Sequence, residues 1–202
     1  GHSSGRLTVC LVAAGVIAKK VIAPVSIQAK LAEAGGNTDI EAAIQKAVEE
    51  QDSIGGIVSV SATGLPLGLG EPFFASAESL ISHMIFAVPA IKGIEFGAGF
   101  AGTKMKGSEH NDAIIDEKGT TRTNHAGGIN GGISNGNELH FRIAVKPTSS
   151  TPKEQHTWNT QTQSVETFAV KGRHDLCIAL RVAVVAEAAT AIALADMLLL
   201  KA

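Results

Sequence analysis

The run from Val182 to Leu200 sets the first constraint on the fold. It consists almost wholly of Ala, Val, Ile, Leu and Met, interrupted by Glu187 and Asp196 and flanked by Arg181. A membrane span needs about 20 nearly uncharged residues, so two carboxylates inside the run argue for a core helix that other elements must surround. The material for this is present. Of 202 residues 45% are hydrophobic, enough for one large domain or two small ones, and the chain reads as globular.

The other elements follow from periodicity. Residues 8–20 are small and aliphatic throughout, which predicts a largely buried helix ending before Pro24. Thr38 with Glu41 three positions on is a capping-box signature, and it predicts a helix with Ile40, Ile44, Ala47 and Val48 on one face. Glu41, Gln45, Lys46 and Glu49 fall on the opposite face. Residues 56–62 are strand-like, and residues 64–72 are too rich in Gly and Pro to continue them. A helix over residues 76–87 and a short strand over residues 91–96 come next. Leu139, Phe141, Ile143 and Val145 alternate with His140, Arg142 and Ala144, the period of a half-buried strand, and Pro147 stops it. Without a regular βαβ rhythm, a fixed-period repeat or a low-complexity linker, the order favours an α+β fold in a single domain over residues 1–202.

Composition narrows the function. A formal net charge of -2 argues against a nucleic-acid binder, and with no Tyr and the single Trp158, aromatic stacking is no general binding device. Cys10 and Cys177 lie in apolar company and read as buried thiols of a cytoplasmic protein. His110, His125 and His174 have no metal-ligand spacing, so no metal is expected, and His110 and His125 read as loop anchors. No signal peptide is visible. The opening Gly1-His2-Ser3-Ser4-Gly5, without Met, fits an expression remnant or an internal segment of a longer protein.

Three polar stretches carry chemistry. Gly97-Ala-Gly99-Phe-Ala-Gly102 matches the dinucleotide fingerprint by letter, but the polar, Gly107-containing sequence after it cannot supply the required helix. Residues 124–136 hold five glycines; Asn135-Gly136 reads as a hairpin turn and residues 127–132 as a ligand-facing stretch whose amides could cradle an anion. Lys146-Pro147-Thr148-Ser149-Ser150-Thr151 groups a cation with four hydroxyls, which suits a phosphate and equally a plain loop.

The densest cluster is Lys171-Gly172-Arg173-His174-Asp175-Leu176-Cys177. It is set between apolar runs, where a strand is expected to end at a core edge. Groups this costly to desolvate point to an anion or proton-transfer site, with an ion pair of Asp175 to Arg173 or Lys171 as the structural alternative.

Several of these blocks coincide in one family. Ser3-Ser4-Gly5-Arg6-Leu7-Thr8, Gly68-Leu-Gly-Glu-Pro72, Lys92-Gly-Ile-Glu-Phe-Gly97, Gly107-Ser-Glu-His-Asn-Asp112, Asn124-His-Ala-Gly-Gly128, Gly131-Gly-Ile-Ser134, Lys146-Pro-Thr-Ser-Ser150 and Gly172-Arg-His-Asp175 together resemble chorismate synthase, in that family's order over essentially the whole chain. The resemblance implies an α+β fold with helices packed with mostly antiparallel sheets in a sandwich, in a cytoplasmic homotetramer. It also implies a lyase that converts 5-enolpyruvylshikimate 3-phosphate to chorismate and phosphate by 1,4-elimination, in the shikimate pathway of aromatic amino acid biosynthesis. Reduced FMN is the implied cofactor, lending an electron as the phosphate leaves and recovering it as hydrogen is lost.

By position, the resemblance assigns FMN contacts to His2, Ser3 and Ser4, to Pro89 and Ala90 (where the family commonly has Asn-Ala), to Gly131, to Lys146, Pro147, Thr148, Ser149 and Ser150, and to Arg173. Arg6 matches a substrate-facing arginine and Asp175 a carboxylate proposed to assist proton transfer. The family's N-terminal portion, with two proposed catalytic histidines and arginines for substrate and NADP, has no counterpart here. This chain alone is therefore expected to be inactive or impaired. Two other readings stay open, a folded core or oligomerisation module without catalysis and an unrelated phosphate-binding hydrolase using His174 and Asp175.

Overall fold

A computed structural model describes residues 4–172 and 175–201 of the chain. The element order is α1 (Thr8–Val21), β1 (Ser26–Ala34), α2 (Ile40–Glu50), β2 (Gly56–Thr63), α3 (Ala77–Phe86), β3 (Ile91–Phe96), α4 (Gly107–His110), β4 (Ile129–Asn130), β5 (Ile133–Ser134), β6 (Leu139–Val145), β7 (Gln155–Asn159), β8 (Ser164–Phe168) and α5 (Ala179–Lys201).

The alternating residues of β6 form the centre. β1, β2, β6 and β3 make an antiparallel sheet in that order, with Val58 opposite Ile143, Val60 opposite Phe141 and Ala62 opposite Leu139. All six of these side chains are buried, and Phe141 stacks on Phe96 at 5.3 Å between ring centroids. α5 lies across this apolar face with α3 beside it, while the other face of the sheet carries Ser59, Ser61, His140 and Arg142. Helices packed on antiparallel sheet make this an α+β fold, as the element order implies.

α5 is the core helix that its composition demands. Val182, Val185, Leu194 and Met197 are buried, each contributing roughly 1.5–3 kcal/mol of transfer free energy. By length and composition alone it could also cross a membrane, but most of it is buried against the other elements. Its two interrupting charges are accounted for. Glu187 pairs with Lys19 of α1 and accepts from the Ala29 backbone N–H of β1 at 3.3 Å, and Asp196 faces outward.

α1 departs from expectation. Only Gly15 and Ala18 are buried, because a single face packs on α5; a Cβ at Gly15 would come within 2.5 Å of Ala188 Cβ. The outer face exposes Val9, Cys10, Val16 and Ile17, so Cys10 is an exposed thiol, and Cys177 alone is the buried one. The cap of α2 also shifts. Asp39, not Thr38, is the N-cap, its Oδ1 accepting from Ala42 N–H at 3.0 Å, while Ala43 and Ala47 form the buried face and Val48 is exposed.

β7 and β8 form a hairpin that no sequence period announces, nearly every residue of it exposed. The strand before the Lys171 cluster therefore ends in this projecting arm and not at a core edge. The glycine-rich stretch is corrected too. Gly131-Gly132 is the tight turn of the β4–β5 hairpin, and Gly127 and Gly128 are buried against the backbone of Gly97 and Glu138, so those two face protein and not a ligand. After Gly97 comes a 3-10 turn over Gly99–Lys104 and no dinucleotide-type helix.

Asp112 ties the loops at this end together. Its carboxylate accepts from the N–H of His125 (2.8 Å) and Ala126 (2.9 Å) and from Thr123 Oγ1 (2.7 Å), with His125 Nδ1 3.4 Å away and 3.2 Å from the His110 carbonyl. Burial raises its pKa, but the Ala126, Thr123 and His125 hydrogen bonds and the His125 charge outweigh that and hold it below the ordinary carboxylate range. A carboxylate depressed in this way stabilises the fold above its unfolded pKa and loses that contribution as pH falls through the folded value. Thermal melts of the wild type are therefore expected to drop below about pH 4, and Asp112→Asn to flatten part of that acid limb. Superimposable acid limbs for the two proteins would remove Asp112 from this role.

Candidate functional site

The first turns of α5 form one wall of a cavity of about 1260 Å³. Val12, Val88, Ile178, Val182 and Val185 make an apolar side, and the polar side is assembled from four separate segments.

The first segment is a 3-10 turn, Gly5–Leu7, capped by Ser4, whose Oγ accepts from Arg6 N–H at 3.2 Å. Thr8 Oγ1 donates to the Gly5 carbonyl at 2.6 Å, so hydroxyls on both sides fix the turn that presents Arg6. The second is Pro89-Ala90, ahead of β3. Ala90 has φ 74, a left-handed conformation that is costly for a residue with a Cβ, and its carbonyl accepts from Lys146 N–H at 3.0 Å.

The third segment follows β6, where Pro147 ends the strand by lacking an N–H. Lys146, Thr148 and Ser149 line the cavity. Lys146 Nζ reaches only the Pro147 carbonyl, at 3.2 Å, and has no carboxylate partner among the described residues. Thr148 Oγ1 is buried without a hydrogen-bond partner among the described residues, an orphaned polar atom in the wall of a cationic cavity. The fourth is Asp175, whose Oδ1 pairs with Arg181 NH2 of α5 at 3.0 Å. Asp175 thus has an ion-pair partner in Arg181, in the first turn of the helix, and both groups are well exposed.

Arg6, Lys146 and Arg181 against Asp175 leave the described lining net positive, so the site favours anions. Its chemistry fits FMN: cation and hydroxyls for a phosphate, and an apolar wall for a flat ring. Lys146, Thr148, Ser149 and Ser4 would hold the phosphate end. No cluster of metal-ligating side chains occurs among the described residues.

Most of the sequence-derived positions meet here. Ser4, Arg6, Pro89, Ala90, Lys146, Thr148, Ser149 and Asp175 line the cavity, and Pro147 and Ser150 belong to the same loop. Gly131 does not join them. Its hairpin sits by the last turn of α5, where Lys201 Nζ donates to the Gly68 carbonyl (3.2 Å) and Gly68 N–H to Ser134 O (2.8 Å). The cavity is at the other end of a 23-residue helix, about 34 Å long at 1.5 Å per residue. His2, Ser3, Arg173 and His174 lie outside the described residues. Arg181 and Thr8 are lining residues that sequence reasoning missed: Arg181 stands out only as a charge at the edge of the long apolar run, and Thr8 carries no signal of its own.

The sequence model of the family described as Chorismate synthase matches residues 1–199. The chorismate synthase of Chitinophaga pinensis is 64% identical over 202 residues, covering 100% of this chain and 61% of that protein. That of Dehalococcoides mccartyi is 42% identical over 230 residues, covering 98% and 63%. That of Archaeoglobus fulgidus is 38% identical over 232 residues, covering 100% and 64%. A solved structure described as a crystal structure of chorismate synthase superposes with a TM-score of 0.79 at 24% identity, over 98% of this chain and 64% of that one, a likeness of fold. The chain thus spans a little over three fifths of the length of these relatives.

Proposed function

The chain belongs to the chorismate synthase family, and we propose that its cavity is the flavin-facing side of a lyase that converts 5-enolpyruvylshikimate 3-phosphate to chorismate and phosphate. The observation that carries this reading is the convergence of Arg6, Ala90, Lys146, Thr148 and Asp175 on one apolar-backed cavity from distant parts of the chain. Bound there, reduced FMN would lend an electron to the substrate's allylic system as the phosphate leaves and recover it as the hydrogen is lost, with no net redox change.

The protein's part is electrostatic and positional. Lys146 with the Thr148 and Ser149 hydroxyls binds a phosphate, charge-assisted hydrogen bonds that contribute roughly 1.5–3 kcal/mol each. The valine wall keeps water from a ring laid against it. Arg6, presented by its capped turn, faces the substrate's anionic groups. Asp175 Oδ2, the oxygen not committed to Arg181, receives the proton lost in the elimination. The working form is a cytoplasmic homotetramer, as the family resemblance implies.

The test is an FMN titration of this chain, followed by an anaerobic assay for chorismate with reduced FMN and substrate. Saturable FMN binding is expected, with little chorismate. Among the described lining residues there is no histidine to protonate the leaving phosphate. No FMN binding would overturn the flavin reading. Rapid turnover would show that the described groups suffice and overturn the one-sided site.

A further inference from the structure

The two halves of the polar wall, the 146–153 loop and the segment around Asp175, have no hydrogen bond to each other among the described residues. Between them in sequence stands the β7–β8 hairpin, nearly every residue of it exposed. One short segment touches both. The link from α2 to β2, residues 52–55, leaves the helix through Gln51 in a left-handed C-cap (φ 51).

Its contacts reach both halves. Asp52 Oδ2 pairs with Lys153 Nζ at 3.1 Å, and its Oδ1 accepts from Ser53 N–H at 2.8 Å, which holds the turn. Ser53 Oγ donates to the Thr148 carbonyl at 2.5 Å. Ile54 N–H donates to the Leu176 carbonyl, one residue past Asp175, at 2.8 Å. Gly55 lies so close under β6 that a Cβ there would meet Val145 O at 2.5 Å and Pro147 N at 3.2 Å. Asp52 and Ser53 thus hold the hydroxyl loop, Ile54 holds the carboxylate segment, and Gly55 seats the link against the strand that leads to Lys146.

We propose that residues 52–55 are the positioning element of the site, setting the distance between the Lys146–Ser150 anion loop and Asp175, with Ser53 its key positioning residue. This rests on the flavin reading above for its effect on affinity, but not for the coupling itself. None of these side chains lines the cavity, so they act only through the residues they hold.

Ser53→Ala, with Ser53→Thr as the conservative rescue, is compared with the wild-type chain by FMN titration, thermal melting and hydrogen exchange read on peptides. Loss of one such hydrogen bond is expected to weaken FMN about five- to tenfold, with Ser53→Thr restoring most of it and the melting midpoint of Ser53→Ala lowered by only a few degrees. Exchange is expected to rise in residues 146–153 and also in residues 175–177, which Ser53 itself does not touch. A rise confined to the 148 region would overturn the coupling. Wild-type-like FMN affinity in Ser53→Ala would overturn the positioning role. If the wild type binds no FMN, the flavin reading fails by itself, and the exchange pattern still decides the coupling.

Discussion

Lys146→Ala is expected to weaken FMN binding by about ten- to a hundredfold while the chain still folds, the range given by one lost charge-assisted hydrogen bond of roughly 1.5–3 kcal/mol. The backbone and side chain of this residue do separable work. Its N–H holds the Ala90 carbonyl, a contact that any residue but proline keeps, whereas Nζ bonds only the neighbouring Pro147 carbonyl. Removing the ammonium therefore strips a cation from the cavity without breaking a structural ion pair. Lys146→Arg is expected to recover part of the affinity, since the charge returns in a different donor geometry. Raising ionic strength should weaken the wild type more than Lys146→Ala, because partly exposed charges are screened. Lys20→Ala, on the exposed face of α1, serves as a charge-matched control. An unchanged dissociation constant in Lys146→Ala would move the phosphate end elsewhere.

How much of this could be read from the residues alone depends on the range of the interaction. β6 is legible because every second side chain is large and apolar, and β2 and α3 are bounded by Gly, Pro and Ser punctuation of known meaning. β1 carries the same alternation at lower amplitude, with Ala29 and Ala34 where β6 has Phe141 and Val145. α1 and α5 have similar aliphatic composition, yet one is half bare and the other enclosed. Composition reports what a helix can bury, not which partners reach it.

The site shows the same division. Lys146 and its hydroxyls are recognisable as anion chemistry locally, and the order of the family blocks places them in one protein. That Asp175 turns to Arg181 follows only once α5 starts at Ala179 and brings its first turn beside the carboxylate. Ser53 and Ile54 have no local signature at all, since their role is to donate to carbonyls far away in sequence.

The glycines are the sharpest case, and they yield the largest expected loss of stability. Gly127 sits at φ 69 with His140 O at 2.7 Å and Gly97 N at 2.4 Å from where a Cβ would stand, and its carbonyl accepts from His140 N–H at 3.0 Å. Gly136, at φ 84, has nothing nearer than Leu67 Cδ1 at 3.9 Å. Both lie in one glycine-rich stretch, and its pattern says nothing of which of them another backbone approaches. Gly127→Ala adds a methyl against two backbones that cannot retreat without opening the β3–β6 end of the sheet. Overpacking of about 1–3 kcal/mol comes on top of left-handed strain of about 1–2 kcal/mol. Gly136→Ala bears the strain alone. The expected result is a melting midpoint lowered by about 10 °C for Gly127→Ala, against a few degrees for Gly136→Ala, at roughly 2–4 °C per kcal/mol for a chain of this size. Equal shifts in the two variants would mean that backbone strain, and not the close approach of Gly97 and Gly127, is what the stretch is built to relieve.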